Sequence, residues 1–86
     1  MTQSELYNFI KTQIELALKI HDRRLVITTE SDLRQDIELD EIDLITITSA
    51  IEHKFCILIY DEEIEVIDTV SDLLKFTEHK IEQKYS

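Results

Sequence analysis

The chain of 86 residues is 43% hydrophobic and carries a formal charge of −10 at pH 7, from 19 acidic and 9 basic residues. This apolar content can build one small core, so we expect a single domain over residues 1–86 and not a disordered acidic tail. The acidic charge argues against nucleic acid and anionic lipid as partners, and it favours basic protein surfaces.

The first predicted element is a helix over residues 2–20, where Thr2 followed by Glu5 fits a capping box. Its apolar residues recur at spacings of three and four, and those expected to face the core are Leu6, Phe9, Ile10, Ile14, Ala17 and Leu18. Residues 21–36 break this period and predict a long connection. The apolar side chains expected to hold the connection to the core are Leu25, Val26, Ile27 and Leu33.

A second helix is predicted to begin after Asp40, because Asp is a favoured N-cap and Asp43 falls near the free N–H groups of the first turn. Its predicted buried face consists of Ile42, Ile45, Ala50, Ile51 and Phe55. Residues 61–67, "DEEIEVI", predict a short helix, and a last helix follows within residues 68–83, capped by Asp68 or Thr69. The residues expected to face inward from it are Val70, Leu73, Leu74, Thr77 and Ile81.

Two β-branched stretches leave an alternative open. "RLVITT" (residues 24–29) and "FCILIY" (residues 55–60) could pair as a two-stranded ribbon, and periodicity alone does not decide against it. The chain has no Gly and no Pro, so its turns must use other residues. Glycine-rich phosphate loops are excluded for the same reason.

The order of these elements, and the motifs between them, resemble the acyl carrier proteins. In that family a loop that usually reads D-L-G-x-D-S-L-D leads into a helix ending in E-x-x-F. The residues that fill the matching positions here are Asp36, Ile37, Asp40, Ile42, Asp43, Glu52 and Phe55. Residues 59–74, "IYDEEIEVIDTVSDLL", are similar to the family's I-P-D-E-x-A-E-x-I-x-T-V-x-D-L. The resemblance implies an all-α fold, a small four-helix bundle with a long loop between helices one and two.

One departure from the family pattern concerns the attachment of its prosthetic group. The resemblance places Glu41 in the slot of the serine that carries 4′-phosphopantetheine. Attachment needs a hydroxyl oxygen that attacks the β-phosphate of coenzyme A, whereas a carboxylate is a poor nucleophile and would give a hydrolysable mixed anhydride. We therefore expect Glu41 to be unmodified and the chain to hold no cofactor.

Three further positions depart from the family pattern. Glu38 stands at the loop glycine, Tyr60 at the proline before the third helix, and Thr46 where a partner-binding glutamate is frequent. Glu41 itself has two interpretations. It is an ordinary acid that interacts favourably with the N–H groups of the first helical turn, or its charge replaces that of the missing phosphodiester for a partner's Arg or Lys.

The resemblance also implies where partners dock. The predicted partner-binding residues are Asp40, Glu41, Ile42, Asp43, Glu52, Asp61, Glu62 and Glu65. No catalytic residue is predicted, since the acidic cluster has no neighbouring nucleophile. No metal site is predicted either, because His53 and Cys56 are too few ligands and an EF-hand loop needs a central Gly.

The sequence therefore predicts a non-catalytic, acyl-carrier-like protein that lacks the modifiable serine and acts as an acidic docking accessory or regulator of acyl-handling enzymes. Two alternatives stay open. One is a genuine acyl carrier in fatty-acid, polyketide or related lipid biosynthesis, with Glu41 a substitution for serine or with another attachment residue. The other is an adaptor that uses the bundle only as a scaffold. The lone cysteine and the lack of a signal peptide or long apolar run predict a cytoplasmic protein without a membrane span, and the strong like charge predicts a monomer.

Overall fold

The fold is seen in a computed structural model that describes residues 3–18 and 26–85. Its helices are α1 (Gln3–Leu18), α2 (Glu41–Phe55), α3 (Asp61–Glu65) and α4 (Val70–Tyr85). Within these ranges no strand forms, and the only β-type pairing is an isolated bridge between Asp32 and Thr69. The predicted all-α bundle is confirmed. The alternative ribbon is wrong for residues 26–29 and 57–60, which run without helix or strand.

The core is one apolar cluster to which every long helix contributes. Helix α1 buries Leu6, Ile10 and Ile14, at most 2% exposed, and packs against α2 and α4. At the C-terminal end of α2, the ring of Phe55 packs edge to face against the ring of Phe9 from α1, with centroids 5.5 Å apart. This face of α1 is the predicted one, with Phe9, Ala17 and Leu18 packed at its margin. The predicted cap at Thr2 lies outside the described residues.

The connection before α2 is fastened to the start of α4 by backbone hydrogen bonds. The N–H of Leu33 donates to the carbonyl of Asp68 at 2.8 Å, and the N–H of Ser71 donates to the carbonyl of Thr29 at 2.7 Å. Ile27 and Leu33 are buried as predicted, but Val26 is 75% exposed, so its prediction as a core residue is wrong. Leu25 lies outside the described residues. In the loop that follows, Ile37 and Leu39 are buried in the core.

Helix α2 begins where predicted. The N–H of Asp43 donates to the Asp40 carboxylate at 2.8 Å, and the N–H of Asp40 donates back to the Asp43 carboxylate at 3.3 Å. This reciprocal pair satisfies two N–H groups that a helix start leaves free, and it fixes the rotation of the first turn.

The predicted buried face of α2 is partly wrong. Ile42 and Ile45 are 73% and 45% exposed, and Ala50 is half-buried. The residues that α2 buries are Leu44, Ile47, Thr48, Ile51 and Phe55. Their spacing of i, i+3, i+4, i+7 and i+11 matches one helical stripe better than the predicted set does. Isoleucines on both sides of the helix made the two stripes hard to separate from sequence.

Two ordinary residues take the left-handed conformation that glycine usually supplies. Glu38 in the loop has φ 61°, and Cys56, which ends α2, has φ 55°. For a residue with a Cβ this conformation costs roughly 1–2 kcal/mol. A chain without glycine therefore carries strain in the loop before α2 and at the C-terminal end of α2.

Helix α4 confirms its predicted face. Val70, Leu73, Leu74 and Thr77 are buried, and Ile81 packs at the margin. Thr69 is the cap, since its hydroxyl accepts from the N–H of Asp72 at 3.0 Å while the Asp72 carboxylate accepts from the N–H of Thr69 at 3.1 Å. The N–H groups of Thr69 and, less strongly, Asp68 donate to the Asp72 carboxylate and hold the pKa of the Asp72 carboxyl below its ordinary value.

Candidate functional site

A cleft of about 380 Å³ lies where the loop, the start of α2 and the short helix α3 meet. Its lining residues are Arg34, Leu39, Glu41, Leu44, Ile45, Asp61, Ile64 and Glu65. Leu39 and Leu44 are buried and form the inner part, whereas the acidic members are exposed and form the rim. The cleft thus combines an apolar interior with a rim of predominantly negative charge.

Glu41 lies at this rim because it is the first residue of α2. The Asp40 cap directly before it fixes its place on the first turn. The Glu41 side chain is exposed and makes no ion pair or side-chain hydrogen bond within the described part of the chain. Its carboxylate stands beside the positive end of the helix dipole, where a negative charge is electrostatically favourable.

Three of the other predicted partner-binding acids accept hydrogen bonds that support the fold. Asp40 and Asp43 are engaged in the cap of α2. Glu52 is half-buried, and its carboxylate accepts from the N–H of Ile59 at 2.9 Å, which ties α2 to the extended residues 57–60. Each of these three carboxylates therefore has a structural role, because it accepts a hydrogen bond from a backbone N–H.

The predicted acids of α3 have no such structural role among the described residues. Asp61, Glu62 and Glu65 are exposed and form no ion pair with any described residue. Asp61 and Glu65 are four residues apart, on one side of the helix, and both line the cleft opposite Glu41. Glu62 lies outside the cleft. The structure thus brings Glu41, Asp61 and Glu65 together, and whether any of the predicted residues binds a partner stays a prediction.

Arg34 holds the C-terminal end of α3 in place. Its Nη2 donates to the carbonyl of Ile64 at 2.9 Å and its Nη1 to the carbonyl of Ile67 at 2.6 Å. The same Nη1 lies 3.9 Å from the Asp68 carboxylate. A cation that binds the last carbonyls of a helix stabilises that end. Sequence reasoning gave Arg34 no role, although it is the only basic residue among residues 26–40.

Lys80 of α4 holds the other end of α3. Its Nζ lies 2.9 Å from Glu63 Oε2, and it stands 5.5 Å from the ring centroid of Tyr60 and 5.4 Å from that of Phe76. The Glu63 carboxylate also accepts from the N–H of Tyr60 at 2.9 Å. This N–H, and then Lys80, hold the pKa of the Glu63 carboxyl below its ordinary value. Sequence reasoning missed the arrangement, since nothing local links Lys80 to Glu63.

Three hydroxyl groups of the loop and of α2 are committed to local hydrogen bonds. Thr46 donates to the carbonyl of Ile42 at 2.9 Å, and Thr48 is buried and donates to the carbonyl of Leu44. Ser31 in the loop is buried and accepts from the N–H of Thr28 at 3.0 Å.

Among the described residues no group of three or more His, Cys, Asp or Glu side chains is placed to hold a metal ion. None of the described helices is long and apolar enough to cross a membrane.

Comparison with known proteins identifies the family. No protein-family model matches the chain. The acyl carrier protein of Thermosynechococcus vestitus is 31% identical over 81 residues, which cover 94% of this chain and 98% of that protein. The chain belongs to the acyl carrier protein family. The acyl carrier protein of Petrotoga mobilis is 30% identical, with 94% and 93% of the two chains covered.

The structural comparison agrees with the family assignment. The crystal structure of an acyl carrier protein from Thermotoga maritima matches with a TM-score of 0.70 at 28% identity, covering 93% of this chain and 94% of that one. Both the resemblance seen in the sequence and the bundle it implied are confirmed. Glu41 accordingly opens α2 in a fold of the acyl carrier protein type.

Proposed function

We propose that this member of the acyl carrier protein family carries no phosphopantetheine arm and acts as an acidic accessory or regulatory module that docks on acyl-handling enzymes. The proposal rests on the position of Glu41. This residue is the exposed first residue of α2, in the slot that the sequence resemblance assigns to the attachment serine. A carboxylate does not fit a phosphodiester-linked arm. The proposal also holds that the protein is not an enzyme, that it is cytoplasmic and that it is monomeric.

No neighbouring hydroxyl is well placed to replace the serine. Thr46 and Ser49 lie five and eight residues into α2, about 7.5 and 12 Å along its axis at 1.5 Å per residue. The Thr46 hydroxyl is also bonded to its own helix, and Ser31 is buried in the loop. A transferase that reads the start of α2 would therefore meet the Glu41 carboxylate where it requires a hydroxyl.

Unpaired charge supports docking. Glu41, Asp61, Glu62 and Glu65 form no ion pair with any described residue, and the whole chain has a net charge of −10. Such a surface attracts a basic partner at long range and loses affinity as salt screens it. Glu41→Gln should weaken this docking if the carboxylate replaces the charge of the phosphodiester, and an unchanged affinity would dispose of that role.

A genuine acyl carrier is the second candidate, and the names of the relatives favour it. The matched proteins of Thermosynechococcus vestitus and Petrotoga mobilis are both called acyl carrier protein. This candidate requires that Glu41 substitutes for a serine, or that another residue takes the arm.

An intact-mass measurement separates the two candidates. The chain is co-expressed with a broad-specificity pantetheinyl transferase, and its mass is recorded beside that of Glu41→Ser. The proposal predicts no gain for the wild type and a pantetheine-sized gain for the variant. A gain in the wild type overturns it. If Glu41→Ser gains nothing, the double variant with Glu38→Gly tests whether the loop conformation also blocks the transferase.

Docking is tested by partner capture at low and high salt. Charge reversal at Glu62 and Glu65 should reduce capture, whereas reversal at Glu82, an exposed acid of α4, should leave it nearly unchanged. Capture that is insensitive to both salt and charge would argue against electrostatic docking and in favour of a scaffold that binds by other contacts.

A further inference from the structure

We infer that the exposed apolar side chains between α2 and α3, together with the adjoining side of α4, form a second interaction surface that takes an uncharged apolar patch of a partner protein. This surface, called here the 58–60 surface, consists of Leu58 and Tyr60 with Phe76 and Lys80 of α4. It uses none of the acids of the proposed docking, so it goes beyond that function and stands without it.

The extended residues 57–60 point alternate side chains into the core and out to the surface. Ile57 and Ile59 are 6% and 7% exposed, whereas Leu58 and Tyr60 are 65% and 56% exposed. Side chains two residues apart in an extended segment share one side. Leu58 and Tyr60 therefore form one continuous apolar strip, and a continuous strip marks an interaction site more strongly than scattered apolar residues do.

Two lysines one turn apart on α4 join this segment to the helix. Lys84 Nζ donates to the carbonyl of Phe55 at 3.2 Å, and Lys80 Nζ lies 5.5 Å from the ring centroid of Tyr60. Lys80 also lies 5.4 Å from the ring centroid of Phe76, so it connects the two rings. The Tyr60 ring is thus held in place although it is exposed. An aromatic side chain that is already held loses little conformational freedom on binding, and aromatic residues are enriched at interfaces.

The charges around the strip favour an uncharged partner. The charge of Lys80 is balanced by Glu63 at 2.9 Å. Glu78 and Glu82 are each two residues from Lys80, which places them on the opposite side of α4. A basic partner therefore finds no unpaired carboxylate within the 58–60 surface. An acidic partner is repelled by the net charge of −10 on the whole chain.

Tyr60 also distinguishes this surface in the sequence. It stands where the pattern of the resembled family has a proline before the third helix. Its N–H, which a proline lacks, donates to the Glu63 carboxylate at 2.9 Å. The tyrosine thus adds a hydrogen bond at the start of α3 and an exposed ring at the surface.

The test uses a helical peptide with a leucine stripe flanked by glutamines, and two peptides with glutamates or lysines in place of the glutamines. Binding to the full chain is followed by NMR of the Leu58 methyl and Tyr60 ring signals, and by titration at low and high salt. The glutamine peptide should shift both sets of signals, with an affinity that changes less than twofold with salt. The glutamate peptide should bind about threefold or more weakly at low salt, because the charge of the chain repels it.

Leu58→Ser and Leu16→Ser are a matched pair of variants. The two leucines are 65% and 62% exposed, but Leu16 belongs to α1 and lies outside the 58–60 surface. Leu58→Ser should weaken binding of the glutamine peptide about threefold or more, because it removes apolar area that the peptide covers. Leu16→Ser should weaken it less than twofold. Thermal unfolding of both variants verifies that each keeps the fold.

Four results would overturn the inference. The first two are equal effects of the two variants, and Leu58 and Tyr60 signals that stay unshifted at millimolar glutamine peptide. The third is a larger shift of these signals by the lysine peptide than by the glutamine peptide. The fourth is self-association in sedimentation that Leu58→Ser abolishes, which would assign the surface to a second copy of the chain. The proposed docking is tested separately, since its partner capture depends on salt and on Glu62 and Glu65 and should persist in Leu58→Ser.

Discussion

Lys80→Met tests whether α3 is held in place by α4. Methionine keeps a long apolar side chain over the rings of Tyr60 and Phe76, but it removes the cation that pairs with Glu63 at 2.9 Å. The substitution therefore isolates the electrostatic part of the contact, since the packing of the stem is largely retained.

The expected loss follows from the contacts. The Lys80 and Glu63 side chains are 18% and 30% exposed, so their ion pair falls at the upper end of the surface range, about 0.5–1 kcal/mol. Two cation–π contacts at more than 5 Å add about 0.5 kcal/mol each, and methionine–ring contacts return part of this. The sum is a loss of about 1–1.5 kcal/mol in the free energy of unfolding. In a domain of this size that lowers Tm by about 4–8 °C for each kcal/mol.

Thermal and urea unfolding followed by far-UV circular dichroism measure this loss. Lys75→Met is the matched control, because Lys75 is exposed on the same helix and forms neither an ion pair nor a ring contact with any described residue. The control should change stability by less than about 0.5 kcal/mol. Carboxyl NMR should also show the pKa of Glu63 rising towards its ordinary value in Lys80→Met. Equal stability losses in the two variants, with the pKa of Glu63 unchanged, would refute the reasoning.

Two further predictions concern a capping acid and the strained loop. The pKa of Asp72 is lowered in the folded state, so its contribution to stability is complete above the unfolded value of about 3.9 and is lost as the pH falls through the native pKa. The stability advantage of the wild type over Asp72→Asn should therefore be constant above about pH 5 and shrink towards pH 3; an advantage that grows on acidification would contradict this. Glu38 has φ 61°, so Glu38→Gly should raise the free energy of unfolding by about 0.5–1 kcal/mol, the relieved strain less the entropy of glycine. A loss of stability on urea unfolding would show that the Glu38 side chain makes a compensating contribution.

Local patterns predicted most of the helices correctly. The stripes of α1 and α4 follow from apolar residues at repeated spacings of three and four, which define one face in each helix. The start of α2 follows from a capping pair three residues apart. The face of α2 was harder, because Ile42 and Ile45 form one apolar stripe and Leu44 and Ile47 form another. Which stripe is buried depends on how α2 packs against α1, and that is not a local property.

The position of α3 depends on contacts that no local pattern contains. Arg34 is 30 residues from Ile64, and Lys80 is 17 residues from Glu63. Both pairs form only once the loop and α4 have packed around the short helix. The acids of the cleft could be chosen from sequence through the family resemblance, but their convergence on one opening required the positions of α2 and α3.

The central claim is that the chain carries no phosphopantetheine arm, because the start of α2 offers a carboxylate where attachment needs a hydroxyl. The most direct test is the intact mass of the protein purified from its own cells, where the transferase that would act on it is present. We expect the mass of the unmodified chain, 10.2 kDa, as the only form. A species heavier by one phosphopantetheine, with the modified peptide mapped to any side chain of the chain, would contradict the claim.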